Sequence, residues 1–449
     1  MTKGLAQDVP VHEIAEWKTV VVERVSLSET DRRLAEELAA GEAGRLIVEE
    51  LRSGVRVVAS SWVGVARFEQ FEVRVVPKLA GGDLGLLEML EFASGLNALR
   101  RSSGVRTLAT EGVNLFDLVA LLLAESCERI ARGGLLADYV ETEDELPAVR
   151  GRLLGDRQVL KRFGQVDRVI CRFDELEQDV VENQILAAAL EKCARRVKDD
   201  AVRLRVGRLR SLFAEACSPE KLNPEAARRQ LTYNRLNAHY SDAHTLAWIV
   251  LGGLHALKDI YTPGGARSFA FLLDMNLLFE RFVHRLFERM FGGVAYVEYQ
   301  RADRSIVWDA DRNRPYARVI PDLLVRSKQP PFRRLAVDAK YKLYDERKVA
   351  PGDVYQSFLY AYAYGQEEGG SESPPTSLII YPSPSSSSGA VRLRVRNSSK
   401  MAGAEIHALS LPVPDCLREL RTSVLGPSVS PIEEIVAKAL GSRIFDRAK

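Results

Sequence analysis

Cysteine is scarce in this chain: five residues in 449 (Cys127, Cys171, Cys193, Cys217, Cys416), odd in number, far apart and without CxxC spacing. Such a set argues against a disulfide framework or a cysteine-based zinc site and fits a reducing cytoplasm. The six histidines (His12, His239, His244, His255, His284, His407) make no HExxH or comparable metal pair, so each is expected to be structural. No GxxxxGK[ST] is present, which removes nucleotide binding through a P-loop. Long apolar runs are missing too. The most tempting, Leu118 to Ala124, is bounded by Asp117 and Glu125, far short of the roughly twenty residues that cross a bilayer. The N-terminus, MTKGLAQDVPVHEIAEW, has no apolar core of signal-peptide length. A soluble cytoplasmic protein is the expectation. Nor does one sign of charge dominate: 63 Lys and Arg face 61 acidic residues, so any nucleic-acid contact must use local basic surface.

What the chain does have is an apolar share of 46% against 28% charged, enough for well-packed cores, and a length that one core rarely organises. Two or three domains are expected. Short apolar runs fill the first hundred residues: TVVVERV from Thr19, GRLIVEEL from Gly44, GVRVVAS from Gly54, WVGVARF from Trp62 and FEVRVVPK from Phe71. They predict strands. One helix interrupts them in SETDRRLAEELAAG, with Ser28 before the pattern and Gly41 after it. LGLLEMLEFASG and LFDLVALLLAESCERIARGG then carry helical spacing, and the pattern stays helical from Asn183 to about Asp259. That stretch holds Lys192, Arg195, Arg196, Lys198, Arg203, Arg205, Arg208 and Arg210, broken by Asp199 and Asp200. A solvated helix face is the preferred reading over a phosphate-tracking surface. YTPGGARS, from Tyr261 to Ser268, is the best domain boundary, and PSPSSSSGA from Pro382 reads as a mobile surface loop.

Beyond Gly264 the order of elements is informative: helix FLLDMNLLFERFVHRLFERM, strands VAYVEYQ, ARVIPDLLV and RRLAVDAKYK, helix DVYQSFLYAYAYG, strand TSLIIYP, an αβββαβ arrangement. In the third strand Leu335, Val337, Ala339 and Tyr341 alternate with Ala336, Asp338, Lys340 and Lys342, so Asp338 and Lys340 project from one face. Asp322 ends the apolar run RVIP of the preceding strand and sits beside them if the two strands pair. Two carboxylates and an ammonium suit phosphodiester hydrolysis. Carboxylate oxygens hold Mg²⁺, the ion polarises the phosphate and lowers the pKa of bound water, and a lysine orients or deprotonates that water. Asp322 and Asp338 are therefore expected to bind metal with the Ala339 carbonyl, while Lys340 acts on the nucleophilic water. Mn²⁺ can replace Mg²⁺ among such ligands. Pro-Asp and Asp-x-Lys each arise by chance, and an exposed strand pair is the bland alternative; predicted adjacent strands between two helices favour the site.

Several neighbours join this constellation. Glu280, on the helical stripe of Leu273, Val283 and Phe287, either reaches a metal through water or pairs with Arg281, Arg285 or solvent. Gln356 and Tyr360 stand four apart on the helix opened by Asp353. They either hydrogen-bond the DNA backbone or belong to ordinary packing with Tyr355, Phe358 and Tyr362. Arg318, Arg333, Arg334, Lys342 and Lys348 flank the site as candidate phosphate contacts, with surface solvation as the alternative for each.

Together with WVGVARFEQFEVRVVPK (62 to 78), RGRLLG from Arg150, CRFDELEQDVVENQIL from Cys171 and DMNLLFERFV from Asp274, these residues resemble the McrC family, nuclease subunits of McrBC modification-dependent restriction systems. The resemblance spans most of the chain. It implies a C-terminal PD-(D/E)xK restriction-endonuclease-like domain that cuts DNA carrying methylated cytosine with Mg²⁺. It also implies an N-terminal part that docks on a hexameric AAA+ GTPase of McrB type and stimulates it. In the family pattern Glu280 falls at the helix acid, Asp322 and Asp338 at the metal acids and Lys340 at the lysine, while Gln356 and Tyr360 resemble the QxxxY element of RecB-like relatives. The expected architecture is an α+β multidomain chain: a β-rich and helical docking region (1–145), a helical connector (146–264) and the nuclease domain (265–449). One rival is a methylation-blind RecB-like nuclease of the same fold. Another is a non-enzymatic adaptor that activates an AAA+ partner, against which intact Asp322, Asp338 and Lys340 argue.

Overall fold

The period-two apolar runs near the N-terminus form strands in the computed structural model, which describes residues 9–40, 44–79, 81–99, 102, 104–165, 167–252, 268–330, 332–342, 344, 348–365, 374–384, 389–396, 402–422 and 425–441. The order is β1 (Val11–Ala15), β2 (Thr19–Glu23), α1 (Glu29–Ala39), β3 (Leu46–Leu51), β4 (Gly54–Ala59), β5 (Trp62–Arg67), β6 (Glu72–Val76) and α2 (Gly82–Ser94). The five strands expected from the sequence are present, and β1 is added. Helix α1 starts where Ser28 predicts: its hydroxyl accepts the Asp31 N–H and the Asp31 carboxylate accepts the Ser28 N–H, each at 3.2 Å, a closed capping box.

Contacts divide the chain into two units, one made of Met1–Leu99 with Leu257–Lys449 and the other of Arg100–Ala256. The second contains α3 (Gly104–Thr110), α4 (Leu115–Gly133), β7 (Asp138–Leu146), β8 (Arg152–Leu153), α5 (Gly155–Arg162), β9 (Val169–Glu177), α6 (Val181–Arg196), α7 (Asp200–Ala216), α8 (Pro224–Gln230) and α9 (Ser241–Leu251). The stretch read as a helical connector thus also carries part of a three-stranded sheet, ordered β7-β9-β8. Apolar periodicity missed it because β7, DYVETEDEL, is acidic and largely exposed. Four of the basic residues of α6 and α7 form ion pairs. Arg195 and Arg210 pair with Glu191, Arg203 with Asp200, and Arg205 with Glu125 and Glu128. His244 is buried between the Tyr233 hydroxyl at 3.1 Å and the Glu182 carbonyl at 2.9 Å, a satisfied structural histidine.

The first unit resumes with β10 (Phe269–Asp274), α10 (Met275–Phe291), β11 (Ala295–Tyr299), β12 (Asp303–Asp309), β13 (Arg314–Val319), β14 (Leu323–Ser327), β15 (Arg334–Ala339), α11 (Pro351–Tyr364), β16 (Thr376–Ser383), β17 (Ala390–Arg396), β18 (Ala402–Pro412), α12 (Val413–Thr422) and α13 (Ser430–Leu440). Two expectations are corrected here. The long helix begins at Met275, because FAFLLD is a buried strand antiparallel to β5, with Phe271 opposite Val65. A continuous apolar run fits a buried strand and a helix equally, and only the partner strand decides. Asp274 then caps α10 by accepting the Asn276 N–H at 2.9 Å. Leu273 therefore lies in a strand and not on the stripe of Glu280.

The run ARVIPDLLV is likewise two strands, β13 and β14, separated at Ile320–Asp322. Proline has no N–H for a ladder and interrupts the pairing. Among the described residues the strands of this unit form sheets ordered β1-β6-β5-β10, β2-β4-β3, β12-β13 and β11-β14-β15-β16-β18-β17. In the six-stranded sheet β14 and β15 are antiparallel, and β15, β16 and β18 are parallel. Helix α11 packs on one face, with Tyr360 and Tyr364 against Leu324 and Ala336. Helix α10 buries Phe279, Phe282, Phe287 and Phe291 fully, each worth roughly 1.5–3 kcal/mol over exposure. Residues 253–267, which include all of YTPGGARS except Ser268, and Ser385–Ser388 of the serine-rich segment lie outside the described residues. No helix among the described residues is long and apolar enough to cross a membrane.

Candidate active site

Pairing of β14 with β15 places Leu323 opposite Val337, which sets Asp322, just ahead of β14, beside the end of β15. The Asp322 Oδ2 accepts the Ala339 N–H at 2.8 Å. Asp322 thus opens a strand where the sequence suggested that it closes one, and it reaches its expected neighbours by the pairing that was anticipated. The Lys340 N–H donates to the Ile380 carbonyl at 2.8 Å, so the strand's path continues one residue past β15. Lys340 emerges on the same side as Asp338, and its Nζ donates to Asp338 Oδ1 at 2.9 Å.

Asp338 is 1% exposed, and its Oδ2 is buried with no hydrogen-bond partner. A desolvated carboxylate oxygen close to a second carboxylate is costly unless a proton or a cation sits with it. The electrostatics follow. Burial, then the charge of Asp322, pushes the Asp338 carboxyl up to about 7, against the pull of Lys340. Burial raises Asp322 as well, offset by Lys340, Asp338 and the Ala339 N–H. For Lys340 burial works against the charge, but Asp338 and Asp322 outweigh it, and the ammonium is held above its ordinary range.

Glu280 is linked to this pair through Gln300. Gln300 Nε2 donates to the Glu280 Oε1 at 2.6 Å, and the Gln300 N–H donates to the Asp322 carbonyl at 2.9 Å. Gln300 holds φ at 44°, unusual for a non-glycine residue, and so ties the helix acid to the strand acid. Burial raises the Glu280 carboxyl, moderated by Gln300, Tyr299 and Lys340, while Asp338 adds to the rise. Of the alternatives open for Glu280, pairing with Arg285 is not what occurs, since Arg285 donates to Glu288 at 2.9 Å. Among the described residues no three His, Cys, Asp or Glu side chains close into a metal-ready group. The immediate pair is Asp322 with Asp338, and Glu280 is held by Gln300. Two neighbouring carboxylates, one of them with a buried oxygen that has no partner, fit a hard divalent cation.

Tyr360 is buried and its hydroxyl donates to the Ile320 carbonyl at 2.8 Å, while the exposed Gln356 donates its amide to that hydroxyl at 2.9 Å. The pair therefore braces the Pro321–Asp322 turn. Lys342 donates to Asp353 Oδ2 at 2.7 Å, an oxygen shared with the Tyr344 hydroxyl. Arg318, Arg334 and Lys348 are exposed and Arg333 is half-buried. Gln300 and Tyr299 escaped the sequence reading. Their only signal was their place at the end of VAYVEYQ, and what they touch is set by the fold.

The family model described as McrBC 5-methylcytosine restriction system component matches residues 57–382, well over half of the chain. The Type IV methyl-directed restriction enzyme EcoKMcrBC of Escherichia coli (strain K12) is 23% identical over 314 residues, 66% of this chain and 84% of that protein. A chain in the refined half-complex from the tetradecameric assembly of Thermococcus gammatolerans McrB AAA+ hexamers with bound McrC superposes with a TM-score of 0.61. It is 20% identical, and the match covers 92% of this chain and 100% of that one. At that identity the likeness is one of fold.

Proposed function

This chain belongs to the McrBC family of 5-methylcytosine restriction system components, and from that premise we propose that it is the family's DNA-cutting subunit: a Mg²⁺-dependent endonuclease of PD-(D/E)xK type that cleaves methylated-cytosine DNA when assembled with a hexameric AAA+ GTPase. The observation that carries the reading is the buried Asp338 carboxylate, with one oxygen on Lys340 and the other without a partner, close to Asp322.

Asp322, Asp338 and the Ala339 carbonyl would hold the cation, with Glu280 acting from behind through Gln300. A bound divalent ion supplies Lewis-acid polarisation of the scissile phosphate. The chain's own residues do the rest. Lys340 is charged while it faces two carboxylates, so it is a hydrogen-bond donor that orients the attacking water and the phosphate. Neutralising the carboxylates weakens its hold on Asp338 and frees Nζ for that task. Tyr360 fixes the turn that presents Asp322. The AAA+ partner, as in the Thermococcus gammatolerans assembly, would supply nucleotide hydrolysis, in keeping with the missing P-loop of this chain.

The test is cleavage of methylated and unmethylated plasmid by the wild type and Asp338→Ala, each mixed with an AAA+ GTPase of McrB type, GTP and Mg²⁺. Methylation- and GTP-dependent cutting that disappears in the variant is the expected result. If both proteins stimulate GTP hydrolysis and neither cuts, the chain is an adaptor and the nuclease reading is lost.

A further inference from the structure

At the end of β1 a carboxylate is buried where packing alone needs no charge: Glu16 is 1% exposed. Its Oε2 accepts the Lys78 N–H at 2.8 Å and the Tyr341 hydroxyl at 3.0 Å, while Oε1 is buried without a partner. Burial pushes this carboxyl up to about 7 against the pull of both donors. Lys78 follows β6, the neighbour of β1 in its sheet, and Tyr341 directly follows Lys340. The Tyr341 ring lies against Trp17 at 5.6 Å and Phe279 at 5.8 Å between centroids, and Phe279 directly precedes Glu280 on α10. One phenol therefore touches the N-terminal sheet, the lysine end of β15 and the helical turn that bears Glu280. Trp17, next to Glu16, holds φ at 57°, a conformation that a bulky residue keeps only where its surroundings over-determine it.

We propose that Glu16 is a positioning residue for the nuclease centre: by holding the Tyr341 hydroxyl from the N-terminal sheet, it sets where Lys340 stands relative to Asp338 and Asp322. The proposal rests on the reading of Lys340 given above. Tyr341 directly follows Lys340, so an anchored ring restrains the backbone that carries the lysine, and a catalytic group misplaced by about 1 Å loses rate steeply. Apolar residues of similar volume would seal the same contact at lower desolvation cost. The carboxylate adds direction, because it selects one position for one hydroxyl.

Wild type, Glu16→Gln, Glu16→Ala and Tyr341→Phe are compared in two ways. Cleavage of methylated DNA is followed with the AAA+ partner, GTP and Mg²⁺, and backbone amide exchange over residues 338–342 is measured on the chain without DNA. Glu16→Ala and Tyr341→Phe are expected to lower kcat about tenfold or more with KM for DNA unchanged. Both should speed exchange of the Lys340 and Lys342 amides. Glu16→Gln keeps an acceptor for the hydroxyl and should restore most of both. Tyr341→Phe deletes a single oxygen and is the control against simple misfolding; wild-type exchange in that variant overturns the proposal. If the wild type cuts nothing, the nuclease reading falls, and the exchange comparison still decides whether Glu16 places the end of β15.

Discussion

Asp338 loses water on folding and faces the charge of Asp322, so without a cation it keeps its proton to about 7, against roughly 4 in an unfolded chain. Between those values the folded chain binds a proton that the unfolded chain has released, and stability must therefore fall as pH rises through the window. Glu16, also raised to about 7, contributes with the same sign. The cation-free chain is expected to melt lower at about pH 8 than at about pH 5. Asp338→Asn should raise stability at the higher pH by roughly 1–3 kcal/mol while abolishing cleavage; denaturant titration at both pH values checks this. Protons and Mg²⁺ compete for the same oxygens, so the Mg²⁺-induced rise in Tm should be larger at about pH 8 than at about pH 6. Equal rises at the two pH values would remove Asp338 from the metal site. The alternation that puts Asp338 and Lys340 on one face was legible because strand periodicity is local. The role of Gln300 was not, since its partner Glu280 is twenty residues away and its own backbone conformation is unusual.

At the scale of elements, the strand-to-helix switch at Asp274 shows where pattern reading stops. FAFLL is apolar at every position, so the sequence admits strand or helix, and β5 resolves it by pairing. Gly64 sits opposite Leu272 in that pairing with φ at 137°, and a Cβ there would run into the Phe271 carbonyl. Gly64→Ala should cost at least about 2 kcal/mol, read as a lower denaturant midpoint, whereas a neutral result would mean that β5 and β10 separate easily. The hairpin β12–β13 was only half visible, because ARVIPDLLV looks like one strand until Pro321 is seen to break it. One face of the hairpin packs through Val307 and Val319 on the α11 core. Arg314, Tyr316 and Arg318 alternate on exposed β13, with Tyr316 75% exposed. Aromatic and cationic side chains in that order suit a nucleic-acid backbone. Tyr316→Ala with Arg318→Ala should weaken DNA binding and reduce the salt dependence by about one counterion, with kcat at saturating DNA retained; unchanged affinity would exclude the hairpin from the DNA path.

For the whole molecule, the proposed assembly with an AAA+ GTPase implies activity that depends on a partner. The isolated protein is expected to cut methylated plasmid little or not at all, and robust cleavage by the chain alone would count against that dependence. The first ninety-nine residues and the segment from Leu257 onward form one unit, which lets β10 join β5, β6 and β1 and lets Glu16 meet Tyr341 across more than three hundred residues. By itself the sequence determined the features that depend on near neighbours: the N-terminal strands, the Ser28-capped helix, and the shared face of Asp338 and Lys340. Only the tertiary structure decided that Asp322 opens a strand, that FAFLLD is one, that Tyr360 braces the Pro321 turn and that burial pushes the Asp338 carboxyl up to about 7. Side-chain alternation is written into a few consecutive residues, whereas strand pairing and desolvation arise from residues distant in the chain.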